Sequence, residues 1–213
     1  MAPDPGAAFG QSPGPDQSGG VVWHPGLVDA QQRARATGGR GLTVWLTGLS
    51  GSGKSTIACE VERRLVVAGR AAYVLDGDNL RHGLNADLGF AAADRDENVR
   101  RTAEVARLMA DAGLVVLVAL VSPYRAGRDA ARALHDQAGL GFVEVFVDTP
   151  IDKCRERDPK GLYARAATGE LTGLTGVDAP YEPPVAPELL LHGDSGSVGD
   201  VCDELVALIT DAS

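Results

Sequence analysis

Gly48–Thr56, "GLSGSGKST", follows the apolar run "LTVWL" (Leu42–Leu46) and leads into "IACEVERRL" (Ile57–Leu65), which reads as the opening of a helix. Gly48–Ser55 fits G-x-x-x-x-G-K-[ST] at every fixed position, in the strand-before, helix-after context that the motif needs. Glycines let the chain turn with its N–H groups converging, and the helix start adds the positive end of its dipole, so the loop forms an anion nest. In such a loop Lys54 reaches the β- and γ-phosphates, and Ser55 offers its hydroxyl to Mg²⁺. Gly48, Ser50, Gly51, Ser52, Gly53, Lys54, Ser55 and Thr56 are therefore read as binding a nucleoside triphosphate, with ATP expected. A flexible Gly/Ser turn carrying a solvated lysine is the bland alternative, and the flanking context disfavours it. The loop does not identify the phosphate acceptor, because GTPases, ATPases and small-molecule kinases all share it.

Outward from the loop, apolar runs alternate with segments of helical period. Strands are expected at Leu42–Thr47, Ala71–Asp76, Leu114–Val121, Phe142–Asp148 and Glu188–His192, and helices at Lys54–Ala68, Arg95–Asp111, Arg125–Gln137, Ile151–Arg157 and Val198–Ile209. On the second helix Val99, Ala103, Ala106 and Ala110 share a face, and Glu97–Arg101 and Arg100–Glu104 are spaced as i,i+4 ion pairs. Such alternation implies crossovers over a parallel sheet, hence a three-layer α/β domain with a mainly parallel sheet and the P-loop nucleoside triphosphate hydrolase fold. Ligands of open sheets of this kind bind beyond the carboxyl ends of strands.

Length and composition set limits. The 213 residues suit one domain with an appendage, and 44 % hydrophobic but only 5 % aromatic content predicts a core of Val, Leu, Ile and Ala. A net charge of −9 opposes non-specific attraction to nucleic acid or an anionic membrane. No run approaches the roughly 18 apolar residues of a membrane span, and the N-terminus lacks signal-peptide order, so a cytoplasmic protein is expected. Cys59, Cys154 and Cys202 are far apart with no metal-ligand spacing and are read as reduced thiols. Residues 1–20 are Pro/Gly/Ser-rich and are expected to form a disordered leader, with one P-loop domain over residues 21–213.

After the second strand comes "DGDNLRHGLNADLGF" (Asp76–Phe90). Asp76 and Asp78 at a strand's carboxyl end suit Mg²⁺ binding or hydroxyl orientation, whereas Asp-Gly-Asp-Asn is also turn chemistry in which Asp78 or Asn79 caps a helix. Opposite a phosphate loop the functional reading is favoured. Arg81, Arg95, Arg100 and Arg101 supply guanidinium forks suited to phosphate or sulfate oxygens, although Arg100 and Arg101 are read as helix-surface partners of Glu104 and Glu97.

Together "GLSGSGKST", "DGDNLRHGLNADLGF", "DENVRR", "VSPYRAGRD", "VFVDTP", "RDPKGLY" and "GLTGVDAPYE", with "VVWHPGLV" upstream, resemble the adenylylsulfate kinase family from about Val22 to the C-terminus. The resemblance implies ATP·Mg²⁺-dependent phosphorylation of the ribose 3′-hydroxyl of adenosine 5′-phosphosulfate (APS), giving 3′-phosphoadenosine 5′-phosphosulfate and ADP in sulfate activation. It implies that Asp78, Arg81, Arg95 and Asn98 hold the acceptor, that Phe90 stacks on its adenine, and that Ser55 and Asp76 serve the metal, Asp76 also aiming the hydroxyl. Lys54, Asp76 and Ser122 form the implied catalytic set. A phosphoenzyme role has been assigned to this serine in the family, but no base stands beside it in the sequence, so Val121–Ser122 is read as contacting the acceptor.

Lys160–Pro184 is glycine-rich and aperiodic, and with the residues just before it (about 158–184) it is read as a lid over both nucleotides that excludes water. Arg165 keeps a basic residue that the family carries there, whereas Ala164, Ala167 and Thr172 replace basic residues, Leu174 replaces the aromatic that would complete an adenine sandwich with Phe90, and Leu120 stands where Phe is usual. Loss of one stacking face predicts acceptor binding weaker by about 1 kcal/mol, roughly fivefold. Arg128 is read as a surface partner of Asp129. The resemblance further implies a homodimer and leaves open an association with a sulfate adenylyltransferase. Two other readings stay open: a kinase for a different small metabolite, and a non-catalytic module that holds nucleotides without turnover.

Overall fold

The computed structural model describes residues 24, 26–193 and 197–212, so the expected leader lies outside the described residues. Five strands form a wholly parallel sheet among them: β1 (Leu42–Thr47), β2 (Ala72–Asp76), β3 (Val115–Ala119), β4 (Gly141–Asp148) and β5 (Leu189–His192), in the order β2-β3-β1-β4-β5. All five stand where apolar runs predict them. The third is shorter than expected, with Leu114, Leu120 and Val121 outside it, although the Leu120 N–H still donates to the Leu46 carbonyl at 3.2 Å.

The strands' two faces build two cores, because successive side chains point to opposite sides. Leu42, Val44, Leu46, Leu117 and Val145 pack beneath α2 (Lys54–Val67) and α8 (Val198–Ala212). Trp45, Val116, Val118 and Phe142 pack beneath α4 (Ala92–Asp111) and α5 (Arg125–Gln137). Burial on both faces is why β1 and β3 read as continuous apolar runs.

α1 (Ala30–Thr37), α3 (Gly77–Leu80) and α7 (Leu162–Ala167) were not expected, and α6 (Ile151–Arg157) was. α1 starts from a capping box between Asp29 and Gln32 and buries no residue, so periodicity could not reveal it. α4 begins three residues earlier than expected, so Arg95, expected as its first residue, stands a turn inside it. One expected ion pair is corrected: Arg100 pairs with Glu97 at 2.7 Å, and Glu104 turns to Arg107 at 3.4 Å. A glutamate N-terminal to its arginine is the better order on a helix, and Glu97 takes both Arg100 and Arg101 that way.

From β1 the chain crosses to β2 on one side, and from β3 it passes over β1 to β4 on the other. That reversal opens a crevice at the carboxyl end of β1, where Gly48–Thr56 lies.

Candidate active site

Gly53, with φ 108°, is the N-cap of α2, and Gly51 has φ 76°. Both lie in the left-handed region that a side chain disfavours, and this geometry turns the loop's amides inward at the helix start. Lys54 is buried, its Nζ donating to the carbonyls of Gly48 (2.9 Å) and Leu49 (2.7 Å) and to Ser52 Oγ (3.3 Å). Burial, with Lys160 nearby, lowers the Lys54 ammonium to about 8.

Across from the loop, Ser55 Oγ donates to Asp76 Oδ2 at 2.6 Å. The other carboxylate oxygen accepts from the main-chain N–H of Asp78 (2.9 Å) and Asn79 (3.4 Å) and so caps α3. The capping residue is therefore Asp76, whereas the turn chemistry alone had suggested Asp78 or Asn79. Asp76 thus serves the turn with one oxygen and meets Ser55 with the other. A hydroxyl and a carboxylate oxygen side by side are hard donors that suit Mg²⁺, which keeps waters and substrate phosphates as its remaining ligands. Among the described residues no group of three His, Cys, Asp or Glu side chains could hold a metal unaided.

One cavity of about 660 Å³ runs from this loop to the far wall. Of the residues assigned to the site from sequence, all except Gly48 line it: the loop from Ser50 to Thr56, then Asp76, Asp78, Arg81, Phe90, Arg95, Asn98, Val121, Ser122 and Leu174. Gly48 lies behind, packed so closely on the Val147 carbonyl that a Cβ would stand 2.5 Å from it.

Arg81 donates to the Leu88 (2.9 Å) and Gly89 (3.1 Å) carbonyls and lays its guanidinium over the Phe90 ring, 4.2 Å from the centroid. Phe90 is 65 % exposed, a ring held out at the cavity edge. Arg95 binds the Phe90 carbonyl at 2.9 Å and reaches the Gly173 carbonyl and Thr175 Oγ1 of the glycine-rich segment. Asn98 is buried, and its Oδ1 accepts from Asn85 Nδ2 at 2.9 Å. Asp78 forms an ion pair with Lys160, joining the second strand's loop to the start of that segment.

Ser122 is 3 % exposed with φ 38°; its Oγ accepts from Trp45 Nε1 (3.1 Å) and donates to Thr47 Oγ1 (3.0 Å). The Ser122 hydroxyl is thus held by Trp45 and Thr47, neither of which is a carboxylate or an imidazole.

From the 158–184 segment, Pro159, Lys160, Leu162, Leu174 and Thr175 line the cavity. α7 docks through Tyr163, whose hydroxyl donates to the Ser50 carbonyl at 2.9 Å and is raised by burial to about 12. Leu174 is buried with Cys154 and Tyr163 in a small apolar cluster while still lining the cavity.

Sequence reasoning missed Arg157, whose guanidinium meets the Gly51 and Ser52 carbonyls at 3.3 Å and also the Gly193 carbonyl. Its signals were its place as the last residue of a helix beside the glycine-rich segment and as the first of the stretch "RDPKGLY". The reading of Arg128 as a surface partner of Asp129 is corrected. Arg128 is 1 % exposed and its Nε meets Glu144 at 2.7 Å, because α5 packs the face that carries it onto β4.

Among the described residues no helix is long and apolar enough to cross a membrane. Residues 40–192 match the Adenylylsulphate kinase family. The adenylyl-sulfate kinase of Shewanella pealeana is 54 % identical over 89 % of this chain and 90 % of its own length. The chloroplastic adenylyl-sulfate kinase of Catharanthus roseus is 48 % identical over 93 % of this chain, which spans 63 % of that enzyme's length. Among solved structures, the Mycobacterium tuberculosis APS kinase CysC in complex with AMPPNP and APS is 56 % identical, with a TM-score of 0.78 over 80 % of this chain and 98 % of that one.

Proposed function

Since this chain belongs to the adenylylsulfate kinase family, we propose that it transfers the γ-phosphoryl group of ATP to the ribose 3′-hydroxyl of APS, releasing ADP. The observation that carries the reading is one cavity lined by the phosphate loop, by Arg81, Phe90, Arg95 and Asn98, and by the hydrogen-bonded Ser55–Asp76 pair.

In this reading the loop amides and Lys54 hold the β- and γ-phosphates, exchanging the carbonyls that Lys54 now binds for phosphate oxygens. Ser55 and Asp76 hold Mg²⁺, which supplies charge neutralisation at the transferring group. Asp76 aims the 3′-hydroxyl oxygen at the γ-phosphorus, in line with the bond to the β–γ bridging oxygen. One P–O bond forms as the other breaks, and the hydroxyl proton passes late in the step to the Asp76 carboxylate that it meets and from there to water. The transition state is loose, so positioning and a preorganised positive field do most of the catalysis and no strong base is required.

Arg81 and Arg95 offer charged forks to phosphosulfate oxygens, and Phe90 offers one face to the adenine. Ser122 acts as part of the acceptor wall, because its hydroxyl is already committed to Trp45 and Thr47. The 158–184 segment keeps water from the γ-phosphate. Assembly as a homodimer belongs to the same proposal and is read by light scattering of the purified chain.

The test is coupled ADP release with and without APS. Release that depends on APS supports the reading. Release with another hydroxyl compound only points to a different small-molecule kinase, and none with any acceptor points to a binding module.

A further inference from the structure

Arg128 carries a full charge into the protein interior, where its guanidinium makes three contacts of equal length. Nε donates to Glu144 Oε1, Nη1 to the Ser122 carbonyl and Nη2 to the Glu182 carbonyl, each at 2.7 Å. Only one of the three partners is a counter-ion. An apolar side chain of similar volume commonly serves stability as well as a buried ion pair does, so a buried arginine that spends two of its arms on carbonyls points to geometry that must be fixed.

The carbonyls belong to two different parts of the cavity. Ser122 lines the acceptor wall with Val121 and Pro123, and its φ of 38° is in a region that a residue with a side chain adopts only when its surroundings impose it. Glu182 stands at the foot of the 158–184 segment. Its N–H donates to the Pro123 carbonyl at 2.8 Å, and its carboxylate accepts from the Arg125 N–H at 2.8 Å at the start of α5. A second link runs in parallel: Thr47 Oγ1 donates to the Val121 carbonyl at 2.8 Å and meets the Tyr181 hydroxyl at 3.0 Å.

We propose that Arg128 is a positioning residue for the acceptor: its fork ties the strained Ser122 wall to Glu182 at the foot of the lid segment, so the two hold one geometry together. The proposal rests on the kinase reading above. Arg128 does not line the cavity and acts only through the carbonyls it binds. The lid segment accordingly has one fixed foot at Tyr181–Glu182, and closure over the nucleotides belongs to the residues before it.

Two variants separate positioning from stability. Arg128→Lys keeps a cation beside Glu144 but loses the fork that spans two carbonyls. Glu144→Gln keeps the fork and removes the counter-charge. Steady-state kinetics are expected to show the KM for APS raised about tenfold in R128K, with the KM for ATP changed by less than about twofold, and both constants within about twofold in E144Q even where its melting temperature falls as far. A merely structural role predicts that the two variants, matched in stability, change together.

Amide exchange on the unaltered chain gives a reading that needs no variant to fold. APS is expected to slow exchange in peptides containing Ser122 and Glu182 together. An unchanged KM for APS in R128K, an equal rise in E144Q, or protection at Ser122 without Glu182 overturns the proposal. Failure of the unaltered chain to phosphorylate APS overturns the kinase reading itself, and this inference with it.

Discussion

Ser55 Oγ and Asp76 Oδ2 stand 2.6 Å apart, so the last fixed residue of the phosphate loop is hydrogen-bonded to the end of the second strand. In the proposed reaction the contact joins the side that would hold the phosphate to the side that would hold its acceptor. Asp76→Asn keeps an oxygen to cap α3, so folding is expected to survive. It removes the charge proposed to serve Mg²⁺ and to aim the hydroxyl, and kcat should fall by at least about 100-fold while ATP affinity changes only a few-fold. Single-turnover kinetics beside ATP titration calorimetry check this, and parallel loss of binding and rate would contradict it.

Leu174 stands where a second aromatic face for the adenine was expected, and it sits at the cavity against Tyr163 and Cys154. Leu174→Phe should lower the KM for APS about fivefold, from one recovered stacking contact of about 1 kcal/mol. A KM no lower than that of the unaltered chain contradicts the role given to this position.

Lys54 is lowered to about 8 by burial, so part of the population is uncharged in mildly alkaline solution. A bound triphosphate favours the ammonium, and ATP binding should therefore take up a proton near pH 8 and weaken as pH rises beyond it. Calorimetry in two buffers of different ionisation enthalpy reads that uptake directly. Equal apparent enthalpies in the two buffers at pH 8 would show that Lys54 keeps its proton throughout.

His135 is fully buried in α5, with Nδ1 2.8 Å from the Ala131 carbonyl and Nε2 2.8 Å from Thr43 Oγ1. A carbonyl only accepts, so Nδ1 carries the proton and Nε2 accepts from the threonine hydroxyl. Burial lowers the imidazole below its ordinary value, and the nearby charges of Arg107, Asp136 and Glu104 leave that direction unchanged. The neutral ring thus contributes stability that is complete above the unfolded value and is lost as pH falls below about 6.5 towards the folded one. Melting temperature between pH 7.5 and 5 should fall less in a folded His135→Gln variant than in the unaltered chain. Equal slopes would contradict the assignment.

The strands and the phosphate loop were legible because each is a local pattern: Leu42–Thr47 is a run buried on both faces, and Gly48–Ser55 is a fixed spacing with a mechanical purpose. α7 was hidden because its six residues bury only Tyr163, too few for a period to show. Cavity-lining residues within one strand-end loop could be named in advance, Asp76 and Arg81 from their chemistry and Phe90 through the family resemblance. The Arg128 network could not, because its contacts with Glu144 and Glu182 are 16 and 54 residues apart along the chain and leave no local mark. For the same reason Arg128 looked like a surface residue beside Asp129.

If the chain moves a phosphoryl group between two ligands in one cavity, the position of phosphate on the product shows it most directly. After incubation of the full chain with ATP, Mg²⁺ and APS, phosphorus NMR of the purified product should show a new monoester coupled to the ribose 3′-proton, with one ADP formed for each. Phosphate appearing only as inorganic phosphate, or on an atom other than the 3′-oxygen, would contradict the account.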